Sequence, residues 1–209
     1  MTGRFLTLEG GEGAGKTTLA LGLVQHLSAV GIDAVRTREP GGTPGADEIR
    51  SLLVTGATAR WSALTEALLF SAARNDHLEH VIRPALARGD WVVCDRFTDS
   101  TRAYQSAAGG VSTRILETLE VVIGAPAPDL TFVLDLDPAA GLGRTQSGHA
   151  GEGRFEAKSL AFHQKVRAAF LEIAAAAPDR CVVLNAGQPA DQVLAAAIRE
   201  IDRRFRVFA

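Results

Sequence analysis

Gly10 to Thr17 reads Gly-Gly-Glu-Gly-Ala-Gly-Lys-Thr, a G-x-x-x-x-G-K-[ST] spacing set between two segments of different periodicity. Phe5-Leu6-Thr7-Leu8-Glu9 before it reads as a strand, and residues 18–30 after it carry apolar side chains at helical spacing. A strand that turns through glycines into a helix brings backbone N–H groups together at the helix N-terminus, where the dipole also favours an anion. Gly10, Gly13 and Gly15 permit the backbone angles such a turn needs. Gly10, Gly11, Glu12, Gly13, Ala14, Gly15, Lys16, Thr17 and Thr18 are therefore expected to cradle nucleotide phosphates. Lys16 adds a point charge for the outer phosphates, and Thr17 a hydroxyl for Mg²⁺. Arginine carries nearly all the positive charge elsewhere, so a lysine at this position is not background.

Around the loop, strand-like runs at 5–9, 34–38, 91–95, 130–136 and 181–185 alternate with helical patterns at 16–30, 45–54, 63–88, 113–124, 157–176 and 189–204. An interruption of the long middle helix is expected near Asn75-Asp76. The alternation predicts a parallel sheet with helices on both faces, an α/β fold in one domain over residues 1–209. The net charge of −2 and the lack of any block of like charge give no reason to expect a nucleic-acid or membrane partner. No apolar run is long enough to span a bilayer, and the loop lies too close to the N-terminus for a signal peptide, so a cytoplasmic location is expected. Cys94 and Cys181, each in an apolar run and without metal-ligand spacing, read as buried free thiols.

Strand-end positions are where ligands collect in an open α/β sheet. Trp91-Val92-Val93-Cys94-Asp95 ends in a carboxylate suited to Mg²⁺, and Arg96 follows it. Asp135 and Asp137 end a second apolar run, but Asp137-Pro138 looks like a helix start. Asp95 is favoured. Arg38 precedes Glu39-Pro40-Gly41-Gly42, a sharp turn that can aim it inward. Phe70 and Arg74 share a helix face. A ring and a guanidinium there suit a planar heterocycle, although spacing alone reads Phe70 as core and Arg74 as surface. Glu12, a carboxylate among phosphates, either faces solvent or meets something carried beside them, such as a sugar hydroxyl. His77 and His80 lack a third ligand and read as solvated surface.

The loop, Arg38-Glu39-Pro40-Gly41-Gly42, Phe70-Ser71-Ala72-Ala73-Arg74, Asp95-Arg96-Phe97 and Ser100-Thr101-Arg102-Ala103-Tyr104-Gln105, in that order, resemble the bacterial thymidylate kinases. The resemblance implies a three-layer P-loop NTPase-type fold with a five-stranded parallel sheet and a mobile lid. It also implies a homodimer and transfer of the ATP γ-phosphoryl group to dTMP. Residue by residue, it assigns Arg38 and Arg96 to the acceptor phosphate and Phe70, Arg74, Thr101 and Gln105 to thymine. Tyr104 is assigned to the sugar 2′ carbon, Glu12 to the 3′ hydroxyl, and Thr17 and Asp95 to Mg²⁺. The segment 185–188 is expected beside adenine. Family members with an acid at this loop position carry an arginine-rich lid. Here the lid, 144–154, has Gln146 and Gly148 where arginines are expected, which leaves Arg144 and Arg154 as the catalytic lid candidates beside Lys16 and Arg96. The rival readings are a kinase of the same fold with another acceptor and a regulatory nucleotide switch. A switch would show an Asn/Thr-Lys-x-Asp guanine motif, and that motif is absent.

Overall fold

The structure, a computed structural model, describes residues 3–145 and 153–207. Five strands form one parallel sheet: β1 (Phe5–Gly10), β2 (Ala34–Arg38), β3 (Trp91–Asp95), β4 (Leu130–Asp135) and β5 (Cys181–Asn185), in the order β2-β3-β1-β4-β5. All five expected strands are present. β1 is central and buried along its whole length, so it reads as a near-continuous apolar run rather than an alternation. Its side chains still divide with a period of two. Leu6 and Leu8 join Val93, Phe132 and Leu134 on one face, while Phe5, Val92, Cys94 and Val133 pack on the other. Thr7, in the middle of the strand, meets Thr131 hydroxyl to hydroxyl at 2.7 Å.

Helices α1 (Lys16–Ala29) and α9 (Ala190–Phe205) cover the first face through Leu19, Leu23, Leu27, Val193 and Ile201. α8 (Leu160–Ala176) covers part of the second face through Val166 and Phe170. The rest of that face packs against the long middle segment, which runs as α3 (Ala63–His77), a π-helical turn at Leu78–Ile82 and α4 (Arg83–Arg88). The irregularity thus falls a few residues after the expected point. Its physical cause is Pro84, which has no N–H for the carbonyl one turn back and crowds it; the wider turn absorbs that clash.

α2 (Pro44–Val54) starts where Thr43 accepts from the Ala46 N–H at 3.0 Å. α8 starts three residues later than expected, because Ser159 caps it by accepting from the Phe162 N–H at 3.2 Å. α7 (Pro138–Thr145) begins on the Asp137 side chain, which accepts from the Ala139 and Ala140 N–H groups. One element was not expected. α5 (Thr98–Thr101) passes into a π-helical turn at Arg102–Ala107 ahead of α6 (Thr113–Val122). Thr-Asp-Ser-Thr is too short and too polar to show an apolar period.

β1 has β3 on one side and β4 on the other, so the strand order reverses there and a crevice opens at the carboxyl ends. Asp95 pairs in register with Leu8 and Arg38, which sets the ends of β1, β2 and β3 on one rim.

Candidate active site

A cleft of about 590 Å³ opens over that rim. Residues Glu12 to Thr18 line one end, and Phe70 and Gln105 line the other. Arg38, Arg74, Asp95, Arg96, Thr101, Tyr104 and Arg144 line it as well.

At the phosphate end, Gly10, Gly13 and Gly15 all have positive φ. Gly13 also packs backbone to backbone on α7. A Cβ on Gly13 would lie 2.1 Å from the Gly141 carbonyl oxygen, so this contact requires glycine. Lys16 Nζ donates to the carbonyls of Gly10 at 3.1 Å and Gly11 at 2.7 Å. Burial, and then the nearby Arg96, lower its pKa to about 8, against the pull of Asp95, Glu12 and Glu9. Thr17 Oγ1 donates to Asp95 Oδ2 at 2.7 Å. Two hard oxygen donors side by side at the loop fit Mg²⁺. Asp135 is committed elsewhere: both its oxygens take Arg167, at 2.6 and 2.9 Å.

Arg96 is the hub between the two ends. It is a non-glycine residue held at φ 71, a conformation that costs of order 1 kcal/mol or more. Its N–H donates to the Leu8 carbonyl at 2.9 Å, fixing the turn. Nη1 donates to the Gly10 carbonyl at 2.9 Å and to Ser100 Oγ at 3.1 Å. Nη2 donates to Glu12 Oε1 at 3.0 Å and Tyr104 Oη at 3.2 Å, and Tyr104 in turn donates to Glu12 at 2.8 Å. Burial alone would raise the Glu12 pKa, but Arg96, Lys16 and the Tyr104 hydroxyl together hold it down at about 2. Glu12 is thus an ionised acceptor on the cleft wall. Behind this hub lies Glu9, a carboxylate in an otherwise mostly apolar strand with no local sequence signal of its role. It is fully buried and accepts from the Phe97 N–H at 2.8 Å and from Ser100 Oγ. Burial first, and Asp99 second, push its pKa up to about 8.

At the far end, Phe70 is half-buried and faces Phe155, ring centroids 6.0 Å apart. Its ring lies in the cleft wall, not in the core. Arg74 is 2% exposed and donates to Glu39 at 2.7 Å and to Thr101 Oγ1 at 2.9 Å. Its surface reading is corrected: a carboxylate from the turn after β2 lets the charge be buried. Gln105 Nε2 donates to Glu66 Oε2 at 2.9 Å.

A family model for thymidylate kinase matches residues 8–197. The chain belongs to the thymidylate kinase family. It is 54% identical to the thymidylate kinase of Caulobacter vibrioides over 195 residues, 93% of each chain. It is 48% identical to that of Magnetococcus marinus over 99% of each. The crystal structure of the thymidylate kinase from Ehrlichia chaffeensis matches with a TM-score of 0.80 at 31% identity, covering 96% of this chain and all of that one.

Against this family frame, the two lid arginines separate. Arg144 lies over the phosphate loop, with Nη1 3.5 Å from the Gly13 carbonyl and 3.4 Å from that of Ala186, in the turn expected beside adenine. Arg154 does not line the cleft. It is 2% exposed and donates to the carbonyls of Leu53, Ala57 and Thr58 and to Glu66. Its surroundings are those of an anchor tying the segment after the lid to the α2–α3 connection, not of a group facing phosphates. Gln146 and Gly148 lie outside the described residues. The solvated reading of His77 is also corrected: it is fully buried, bonded to Glu39 and Thr37. Phe70, Arg74 and His77 follow i, i+4, i+7 spacing on α3, a single face that the sequence did display.

Proposed function

We propose that the protein transfers the γ-phosphoryl group of ATP to dTMP, giving dTDP for dTTP synthesis. The observation that carries this reading is one continuous cleft with a phosphate loop at one end and a ring–guanidinium pair, Phe70 and Arg74, at the other. Phosphoryl transfer needs positioning and charge neutralisation more than covalent chemistry. The loop N–H groups and Lys16 hold the ATP tail. Arg96 and Arg38 hold the acceptor phosphate in line and offset the repulsion between two anions. Arg144, against Gly13, supplies positive charge beside the transferring group. Mg²⁺, when bound, neutralises the outer phosphates, and Thr17 and Asp95 are the residues that would hold it. The acceptor oxygen is already ionised, so no general base is required. Glu12, ionised and paired with Arg96, accepts from the sugar 3′ hydroxyl instead. Tyr104 packs where a 2′ hydroxyl would go. Exclusion of water from the cleft keeps the reaction from being diverted to hydrolysis.

The test is ADP production from Mg-ATP with dTMP, dUMP, UMP, CMP, dGMP and AMP as acceptors. Strong preference for dTMP with a minor dUMP rate is expected, since one methyl group discriminates by only ~1–3 kcal/mol. Preference for a different acceptor rejects the thymine assignment.

A homodimer in the cytoplasm is part of the same reading. Leu64 and Leu68 of α3 and Ile115, Val121 and Val122 of α6 are exposed apolar residues on helices that contact each other, a face a second copy would cover. A monomer mass by light scattering rejects the dimer. Among the described residues no helix is long and apolar enough to cross a membrane.

A further inference from the structure

The phosphoryl transfer described above makes no use of the groups behind Arg74. Arg74 Nε donates to Glu39 Oε2 at 2.7 Å, and the other oxygen, Oε1, meets His77 Nδ1 at 3.1 Å. His77 Nε2 meets Thr37 Oγ1 at 2.6 Å. Glu39 is 5% exposed and His77 0%. The proton inventory closes in one way for a neutral imidazole. The carboxylate has no proton to give, so Nδ1 carries the hydrogen and Nε2 accepts from the Thr37 hydroxyl. Gly42, at φ +93, seals the far end: a Cβ there would lie 2.7 Å from Thr37 Oγ1 and 2.8 Å from His77 Nε2. On its other side the Arg74 guanidinium lies over the Phe97 ring, 5.1 Å from its centroid. The Cys94 sulfur lies within 4.8 Å of ligand atoms of Glu39 and His77, but both carboxylate oxygens and both imidazole nitrogens are already hydrogen-bonded within the protein. A cation would have to displace all of these bonds.

Two consequences follow for Arg74. Its long side chain is held in one place, so a ligand does not bear the cost of ordering it. Its charge is neutralised from behind, so it presents N–H donors to the cleft without the net charge that would attract a second phosphate. Such a group suits a neutral carbonyl oxygen on a base, and it disfavours an amino group at the same place. We propose that Glu39 and His77 are positioning residues that hold Arg74 at the base end and thereby select an acceptor base with a carbonyl oxygen where cytosine carries an amino group. This rests on the reading that the acceptor base lies at Phe70 and Arg74.

The experiment compares kcat and KM for dTMP, dCMP and ATP in Arg74→Ala, Glu39→Gln, His77→Leu, His77→Asn and the Arg74→Ala/His77→Leu double variant, with a thermal melt of each. Glu39→Gln and His77→Leu are expected to raise the dTMP KM roughly tenfold, the loss of one hydrogen bond to a charged group. The dTMP preference over dCMP should fall, while the ATP KM stays within about twofold of the parent. His77→Asn, whose amide nitrogen can take the place of Nδ1, should recover most of the loss. The double variant should be no worse in dTMP KM than Arg74→Ala alone. A lowered melting temperature with unchanged dTMP KM and preference overturns the proposal and leaves a structural role. An equal rise in the ATP KM overturns it too. If Arg74→Ala itself leaves the dTMP KM unchanged, the base reading fails and the proposal with it. If Arg74→Ala is impaired but Glu39→Gln and His77→Leu are not, the proposal alone fails. Should His77→Leu not fold, Thr37→Val carries the test, with a rise of about two- to threefold in dTMP KM expected and no change rejecting the proposal.

Discussion

The two ends of the cleft hold positive charge in different ways. At the phosphate end, Lys16 rests on the carbonyls of Gly10 and Gly11, and Arg96 on Gly10, Ser100 and Tyr104. The carboxylate nearest to Arg96, Glu12, itself lines the cleft. Carbonyl dipoles hold Lys16 in place, burial first and Arg96 second lower its pKa to about 8, and the carboxylate paired with Arg96 faces the ligand instead of being buried behind it. At the base end, Arg74 has a buried carboxylate behind it. An anion binds best where charge is left unneutralised, and a neutral heterocycle binds best where donors are fixed and their charge is offset. Burial of an arginine does not by itself say what it recognises; the location of its counter-charge does.

The largest expected effect breaks the phosphate end. Lys16→Ala should lose ~10³-fold or more in turnover, since it removes charge from the transferring group, with an unchanged melting temperature. Steady-state kinetics and a thermal melt check this; retained turnover would remove Lys16 from the mechanism. The next pair sharpens the contrast between the lid arginines. Arg144→Ala should lower kcat ~10²- to 10³-fold with little change in stability. Arg154→Ala should instead destabilise by about 3–5 kcal/mol, because it takes the nearest cation from the buried Glu66 carboxylate, while the folded enzyme keeps most of its kcat. Urea titration with kcat per folded enzyme reads both. A stable but slow Arg154→Ala would return that residue to the lid role first expected for it. At the base end, Phe70→Ala should raise the dTMP KM by about 10- to 100-fold through lost stacking, with the ATP KM unmoved. An unchanged dTMP KM with a lower melting temperature would favour Phe70 as packing.

How much of this was legible in the sequence follows the same division. The phosphate loop is contiguous, so its strand, glycines, lysine and hydroxyl can be read as one pattern, and the apolar strands can be read because burial on both faces makes them continuous. Asp95 was legible because it ends such a strand. The base end depends on pairs distant in sequence: His77 and Glu39 are 38 residues apart, Arg154 and Glu66 are 88 apart. Spacing within a helix placed Phe70 and Arg74 on one face, and the same period extends to His77, which on its own reads as solvated. It could not show that a carboxylate from the turn after β2 would cover that face, and without the carboxylate an arginine and a histidine read as solvated. α5 went unseen for a different reason: its four residues carry no apolar period, and its start is held by Glu9, whose role depends on tertiary structure.

The smallest effect is a pH dependence that tests whether charge at the phosphate end is uncompensated. In the free enzyme Lys16 has its pKa lowered to about 8, by burial first and Arg96 second, so the ammonium is lost as pH rises through that value. ATP brings several negative charges to it and favours the protonated form once bound. Therefore kcat/KM for ATP, which reports the free enzyme, should fall about tenfold per pH unit above pH 8, while kcat, which reports the bound complex, stays level. Glu9 loses its proton over the same range, since burial and Asp99 raise its pKa to about 8, and it must be separated from Lys16. Glu9→Gln removes that titration. It also removes a carboxylate that supports the ammonium, so the falling limb should persist and move, if at all, to lower pH. Disappearance of the limb in Glu9→Gln would assign the titration to Glu9. A limb that appears equally in kcat would mean that bound phosphates do not restore the charge, and the contrast between the two ends of the cleft would then lose its electrostatic basis.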